Sequence, residues 1–334
     1  MSMIKVDISK LNRGDIILST STSFQSKVIK FFTNSDISHA MVYVAHGSVM
    51  DSTGDGVQAR NISKMFYDES CAIYVYRIKG GVTEEQVKSV LQYIRSETGA
   101  PYTVLGAVSS VVAPNLKGTG KQFCSRLVAR AYQKAGINFA FNPDTCTPAD
   151  IQRSPLLELV SDAVVSVTEE DIKLLETQGD TTVRYRAIES ALLASLRDVR
   201  PSIRVLNDAY VVLQGEPSLD DVFSNIFKES GYLEYWKVER NRFPWRYGKQ
   251  EMQDFYFLIS NKEDLIEYCK ETLVSDEKGD FSHWDVLLQG FEQLARETEL
   301  HTFSLVRDLY ANLVSGHKLR VESAKFLLGI CGSK

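Results

Sequence analysis

The sequence predicts an α+β domain followed by an all-α domain, and three observations carry that prediction. Before about residue 165, short β-branched and aromatic runs alternate with amphipathic stretches, whereas after it nearly every apolar pattern has helical period. The charge changes at the same place: residues 1–164 hold 17 Lys and Arg against 14 Asp and Glu, and residues 165–334 hold 21 against 29. A chain of 334 residues can bury two separate cores. Domains are therefore expected at 1–164 and 165–334.

In the first half, GDIILST, HAMVYVA, SVMDS and CAIYVYRI have strand composition, and turn residues bound them. Helices are expected at 83–98 and at 124–135, where Cys124, Leu127, Val128, Ala131, Tyr132 and Ala135 recur at helical spacing. In the second half, Thr168 with Asp171 marks a helix start. Residues 182–213 form a long periodic stretch that Pro201 breaks or kinks. Further helices are expected at 218–230, 249–259, 261–274, 282–297 and 301–328. No fixed-period repeat supports a solenoid.

Composition excludes several function classes. Neither half has the basic runs of a nucleic-acid footprint, and KVERNRFPWR at 237–246 reads as a surface loop. Cysteines 71, 124, 146, 269 and 331 are odd in number and show no metal-type spacing, so free thiols are expected, with no metal and no cofactor. The N-terminus lacks the apolar core of a secretory signal. The apolar run Val104–Pro114 is too short to cross a bilayer, so a cytoplasmic protein without a transmembrane segment is expected. Gly118-Thr119-Gly120-Lys121 lacks the first glycine and the Ser or Thr of a phosphate loop, and reads as the approach to the cysteine helix.

The chemistry centres on Cys124 and His39. A thiol at a helix N-terminus meets the positive end of the helix dipole, which favours thiolate, and a histidine within reach would complete a nucleophile–base pair. Packing explains the same cysteine, because it lies on the apolar stripe of its helix. Twelve residues after His39 comes Asp51, a candidate to fix the imidazole tautomer by accepting the Nδ1 proton. A simple hairpin turning at His46-Gly47 would set Asp51 opposite Val42, on the wrong face, unless a bulge restored the alignment. Asp55 is the alternative acid, and both fit the turn-rich DSTGDG loop.

Five landmarks in order carry a resemblance: Gly14-Asp15-Ile16-Ile17-Leu18; Ser38-His39-Ala40-Met41-Val42-Tyr43; Gly56-Val57; Gly99-Ala100-Pro101-Tyr102; and Phe123-Cys124-Ser125-Arg126-Leu127-Val128 with Gly136-Ile137. From about residue 12 to about residue 160, closing on Thr147-Pro148-Ala149-Asp150, the chain resembles the permuted NlpC-type cysteine hydrolases, a papain-like group, in its YiiX/YebB-like branch. Permutation accounts for histidine preceding cysteine. The resemblance implies a cysteine-bearing helix packed on a small antiparallel sheet, with Cys124 as nucleophile, His39 as base and Asp51 as orienting acid. It also implies that Tyr102, Ser125, Ser38 and Tyr43 line the substrate site. The implied activity is cleavage or transfer at an amide, ester or thioester, of an acyl-lipid, a small molecule or a peptide, with muropeptides as the other precedent. A non-catalytic partner-binding module on the same scaffold is the contrasting class. Residues 165–334 carry no motif that suggests a family, and a lid, a substrate selector and a protein-partner surface are all open roles for them.

Overall fold

The computed structural model describes residues 2–20, 36–102 and 122–332. The chain divides into two compact units, Met1–Ala209 and Tyr210–Lys334. The first therefore runs past residue 164.

Among the described residues, unit 1 is built on a six-stranded sheet of order β5-β4-β3-β2-β7-β8. Its strands are β2 (Ile16–Ser19), β3 (His39–Ala45), β4 (Ser48–Thr53), β5 (Gly56–Asn61), β7 (Ile73–Ile78) and β8 (Leu157–Leu159), and each neighbouring pair is antiparallel. A smaller sheet of order β6-β1-β9 joins β1 (Met3–Val6), β6 (Tyr67–Asp68) and β9 (Val164–Ser166). Side-chain alternation gives the large sheet two apolar faces. Ile16, Leu18, Ala40, Val42, Met50 and Val57 pack with helices α1 (Glu84–Ser96) and α2 (Cys124–Lys134). Ile17, Met41, Tyr43, Val49 and Val75 pack with Val6, Ile62 and Ala163 around the small sheet.

The landmark residues have local physical reasons. Buried Asp15 receives both Nε and Nη2 of Arg77, at 2.8 and 2.7 Å, fastening β2 to β7. Gly56 has φ 97°, and a Cβ there would lie 2.8 Å from the Ala100 carbonyl oxygen. That close approach lets Val57 N–H donate to Ala100 O and Gly99 N–H to Val57 O, so the Gly99–Tyr102 stretch lies against β5. Thr147 and Asp150 form a capping box, with Pro148 at the first turn of α3 (Pro148–Gln152).

Two helices beyond the predicted boundary follow within unit 1, α4 (Glu169–Gln178) and α5 (Thr181–Val199). Helix α5 is bound to the sheet domain by specific contacts. Gln58 Nε2 donates to Ser190 Oγ at 2.8 Å, Arg197 donates to Gly99 O at 2.7 Å, and Leu193 occupies the space that a side chain at residue 99 would need. Past the break that Pro201 predicts, α6 (Leu206–Gly215) begins.

Unit 2 is helical: α7 (Asp220–Glu229), α8 (Trp236–Arg242), α9 (Lys249–Leu258), α10 (Lys262–Glu277), α11 (Ser282–Thr298) and α12 (His301–Gly332). Tyr210, Phe227, Phe291 and Phe303 form an aromatic core. Residues 237–246, expected as a loop, are instead α8 and a turn of 3-10 helix at Pro244–Arg246. The ordering has a cause: Arg246 lies over Phe243 and Trp245 and pairs with Glu239, so the segment packs its own aromatics. Among the described residues, no helix is long and apolar enough to cross a membrane.

Candidate active site

His39 is the first residue of β3, and the way the β3–β4 hairpin closes decides what it meets. The turn residues His46 and Gly47 have φ 50° and 73°, the left-handed pair that matches strand twist in a two-residue hairpin. Ala45 pairs with Ser48, but Tyr43 pairs with Val49 and Val42 with Met50. Val44 is thus an extra residue in β3, a bulge that moves Asp51 from the level of Val42 to that of Met41. Asp51 then shares a side with His39, and its Oδ2 lies 2.9 Å from His39 Nε2. Asp55, by contrast, is exposed in the following turn and comes no nearer than 4.0 Å to Arg60.

Cys124 arrives on α2, which packs on the opposite apolar face. Phe123 precedes the helix without a side-chain cap, and the helical ladder opens with Leu127 N–H to Phe123 O. The thiol is buried, 4.0 Å from the carbonyl oxygen of Ser38, and its sulfur is close enough to the His39 ring to raise the imidazole. The expected partner atom differs in one respect. Asp51 takes Nε2, not Nδ1, which leaves Nδ1 as the nitrogen for the sulfur.

The electrostatics follow from these contacts. Burial disfavours a charged imidazole, but the Cys124 sulfur and the bond to Asp51 outweigh it and push His39 up to about 10. Burial also disfavours an ionised Asp51, yet His39 and Arg60 together hold its carboxyl below the usual range. Imidazolium and carboxylate therefore coexist through neutral pH.

Of the other expected site residues, Tyr102 is brought close. It bridges to Gln122, packs on Phe123, and its hydroxyl is pushed upward by burial and by the nearby Cys124. Ser38 contributes its carbonyl beside the thiol. Ser125 and Tyr43 make structural contacts. Ser125 Oγ donates to Cys146 O at 2.7 Å, pinning the first turn of α2, and Tyr43 Oη accepts Gly47 N–H at 3.2 Å, closing the hairpin. The apolar stretch 104–114 and the Gly118–Lys121 segment lie outside the described residues.

Sequence reasoning missed two participants. Arg60 donates Nε to Asp51 Oδ1 at 2.9 Å and Nη2 to Thr53 Oγ1 at 2.7 Å. The signal was available: in a hairpin with Asp51 opposite Gln58, Arg60 is the diagonal neighbour on the same face. Gln122, two residues before Cys124, gives Nε2 to Glu97 Oε2 at 2.6 Å, and the same carboxylate receives Arg204 at 2.6 and 3.0 Å. No local pattern announces that network, because its members lie 25 and 107 residues from Glu97.

Residues 10–171 match the family described as permuted papain-like amidase enzymes, YaeF/YiiX, C92. The likeness read from the landmarks thus holds for that segment, and so does the permuted papain-like domain followed by helices. The uncharacterized protein YiiX of Escherichia coli K12 is 29% identical over 125 residues, covering 36% of this chain and 57% of its own. The probable lipoprotein peptidase YaeF of the same organism is 23% identical over 166 residues, covering 40% and 60%. The chain therefore spans 57% and 60% of these two curated relatives. A crystal structure described as the metalloprotein yiiX from Escherichia coli O157:H7 matches at 24% identity over 48% of this chain and 97% of that one. Its TM-score of 0.31 is too low to carry a structural argument. Among the described residues here, no group of three or more His, Cys, Asp or Glu side chains is arranged to hold a metal ion.

Proposed function

We propose that this chain, whose residues 10–171 are a permuted papain-like domain, hydrolyses an amide bond through Cys124. The observation that carries the reading is the connected row Cys124–His39–Asp51, with the sulfur at a helix start and the acid aligned by a bulge. The Cys124 thiolate attacks the carbonyl carbon, and the oxyanion that forms sits by the backbone N–H of Cys124. His39 Nδ1–H gives its proton to the departing amine, leaving an acyl-enzyme. Neutral His39 then takes a proton from water as it attacks the thioester, and the thiolate leaves. Asp51 keeps the ring oriented through both steps. None of these steps calls for a cofactor.

Amides come first among substrates because the matched family is described as amidases. YaeF is called a probable lipoprotein peptidase, so peptides carrying an acyl-lipid head the panel to be tried, followed by simple acyl-lipids, thioesters and muropeptides. The test begins without a substrate: iodoacetamide is added at neutral pH, and labelling is read by peptide mass spectrometry in wild type, Cys124→Ala and His39→Ala. Cys124 is expected to label faster than Cys146 and Cys269, and to slow markedly when His39 is lost. Equal rates at the three thiols, or no effect of His39, would overturn the hydrolase reading. A reactive Cys124 with no turnover on any panel member would favour a protein-binding role for the scaffold.

A further inference from the structure

The Cys124–His39–Asp51 row, taken as the reacting group of a hydrolase, carries an odd number of charges once the thiol ionises. Thiolate and carboxylate are two anions, while imidazolium is one cation. In a site where Asp51 is 1% exposed and Cys124 4%, a net negative charge is costly, and the site would relieve it by taking up a proton. Arg60 is placed to supply the missing charge. Its Nε donates to Asp51 Oδ1 at 2.9 Å, the oxygen that His39 does not use, and its Nη2 is fixed by Thr53 Oγ1 at 2.7 Å. The guanidinium side chain is itself 19% exposed, and β5, which carries it, pairs along the whole of β4.

We propose that Arg60 is a positioning residue for the reaction: it holds Asp51 against His39 and, as the fourth charge, makes the ionised Cys124–His39–Asp51–Arg60 set neutral. The other groups that face this set leave its balance intact. Tyr67 on β6 and Tyr102 are neutral, each raised by burial, and Cys146 is a buried thiol raised the same way. Asp55, exposed in the β4–β5 turn, is 4.0 Å from Arg60 and lies in solvent.

This inference rests on the hydrolase reading, and the experiment separates the two. The pH profile of Cys124 alkylation by iodoacetamide is measured in wild type, Arg60→Met, Arg60→Lys and His39→Ala. Removing the cation penalises the thiolate, so the acid limb in Arg60→Met is expected about one pH unit higher, with a roughly tenfold lower rate at pH 6 and the same plateau at high pH. Arg60→Lys is expected to bring the limb back, because it restores the charge without the guanidinium shape. An acid limb in Arg60→Met that coincides with wild type, or one that Arg60→Lys leaves displaced, overturns the proposal. When that happens while His39→Ala still shifts the profile, only the role of Arg60 falls. A profile indifferent to His39 brings down the hydrolase reading as well. Should Arg60→Met fail to fold, Arg60→Gln keeps an N–H donor without the charge and yields the same comparison.

Discussion

Arg204→Met tests whether the helices after residue 171 are part of the papain-like unit. Arg204 binds both oxygens of Glu97, at 2.6 and 3.0 Å, and Glu97 also receives Gln122 Nε2 at 2.6 Å. Burial disfavours the charged form of Glu97, but Arg204 and Gln122 more than compensate, and the carboxyl sits below its ordinary range. Removing one partner from a buried ion pair costs about 3–5 kcal/mol. Here the Arg204 side chain is 33% exposed and Gln122 still serves the carboxylate, so screening reduces the expected loss to about 2 kcal/mol. For a unit of this size that corresponds to a melting temperature roughly 4–8 °C lower. The sign of the pH dependence follows from the depressed folded value. The stabilisation is fully present above the ordinary carboxylate range and is lost as pH falls through the folded pKa of Glu97. Calorimetry at pH 7 should therefore show the deficit, and the gap between variant and wild type should close in strong acid. A variant that melts with wild type at pH 7, or a gap that persists unchanged below pH 3, would refute the reasoning.

Other outcomes follow from single contacts. In Cys124→Ala, the His39 imidazole should titrate lower than in wild type by NMR, since the sulfur is one of the groups that raise it; an unmoved imidazole would deny their coupling. Asp51→Asn should slow Cys124 alkylation at pH 7 by about tenfold or more, because the carboxylate that holds the imidazolium is gone; full reactivity would remove Asp51 from the set. Glu189 is buried, and burial pushes its carboxyl from 4.5 up to about 7. Its folded value lies above the unfolded one, so wild type loses stability as pH rises from 4.5 to 7. Glu189→Gln escapes that loss and should gain on the order of 2–3 kcal/mol over wild type between pH 4.5 and pH 8 in denaturant titrations. A difference independent of pH would contradict it. Ser125→Ala removes one buried hydrogen bond to Cys146 O and should cost about 1 kcal/mol while leaving Cys124 reactive.

What the sequence reveals of this molecule depends on the range of the interaction concerned. Strands β2, β3, β4 and β7 and the helices of unit 2 other than α8 were legible because period and turn residues are local quantities. Cys124 and His39 were legible because each sits at the first residue of an element, where its position has a chemical meaning. The boundary at 164 was read from composition, and composition does not register that Leu193, Arg197 and Arg204 engage Gly99 and Glu97. Tyr43 has the right spacing from His39 to line a site, yet its hydroxyl is spent on Gly47 N–H, a contact created by the turn geometry.

The bulge at Val44 shows how one residue of register controls the chemistry. Without it, the β3–β4 hairpin would still close at His46-Gly47, the apolar alternation of β3 would be intact, and the same acid would sit twelve residues beyond the same histidine. Asp51 would nevertheless point to the α2 side, into an apolar core where a carboxylate without a cation is strongly disfavoured. With the extra residue, Asp51 turns to the side that holds His39 and, across β5, Arg60. Deleting Val44 removes only the unpaired residue: Ala45 still faces Ser48, Tyr43 still faces Val49, and Asp51 stays level with Met41. The deletion should therefore keep the imidazole raised and Cys124 alkylation enhanced, while losing the packing that Val44 gives the core, with circular dichroism still reporting the sheet. If the Val44 deletion folds but loses the enhanced alkylation, the register described here is not what aligns Asp51 with His39.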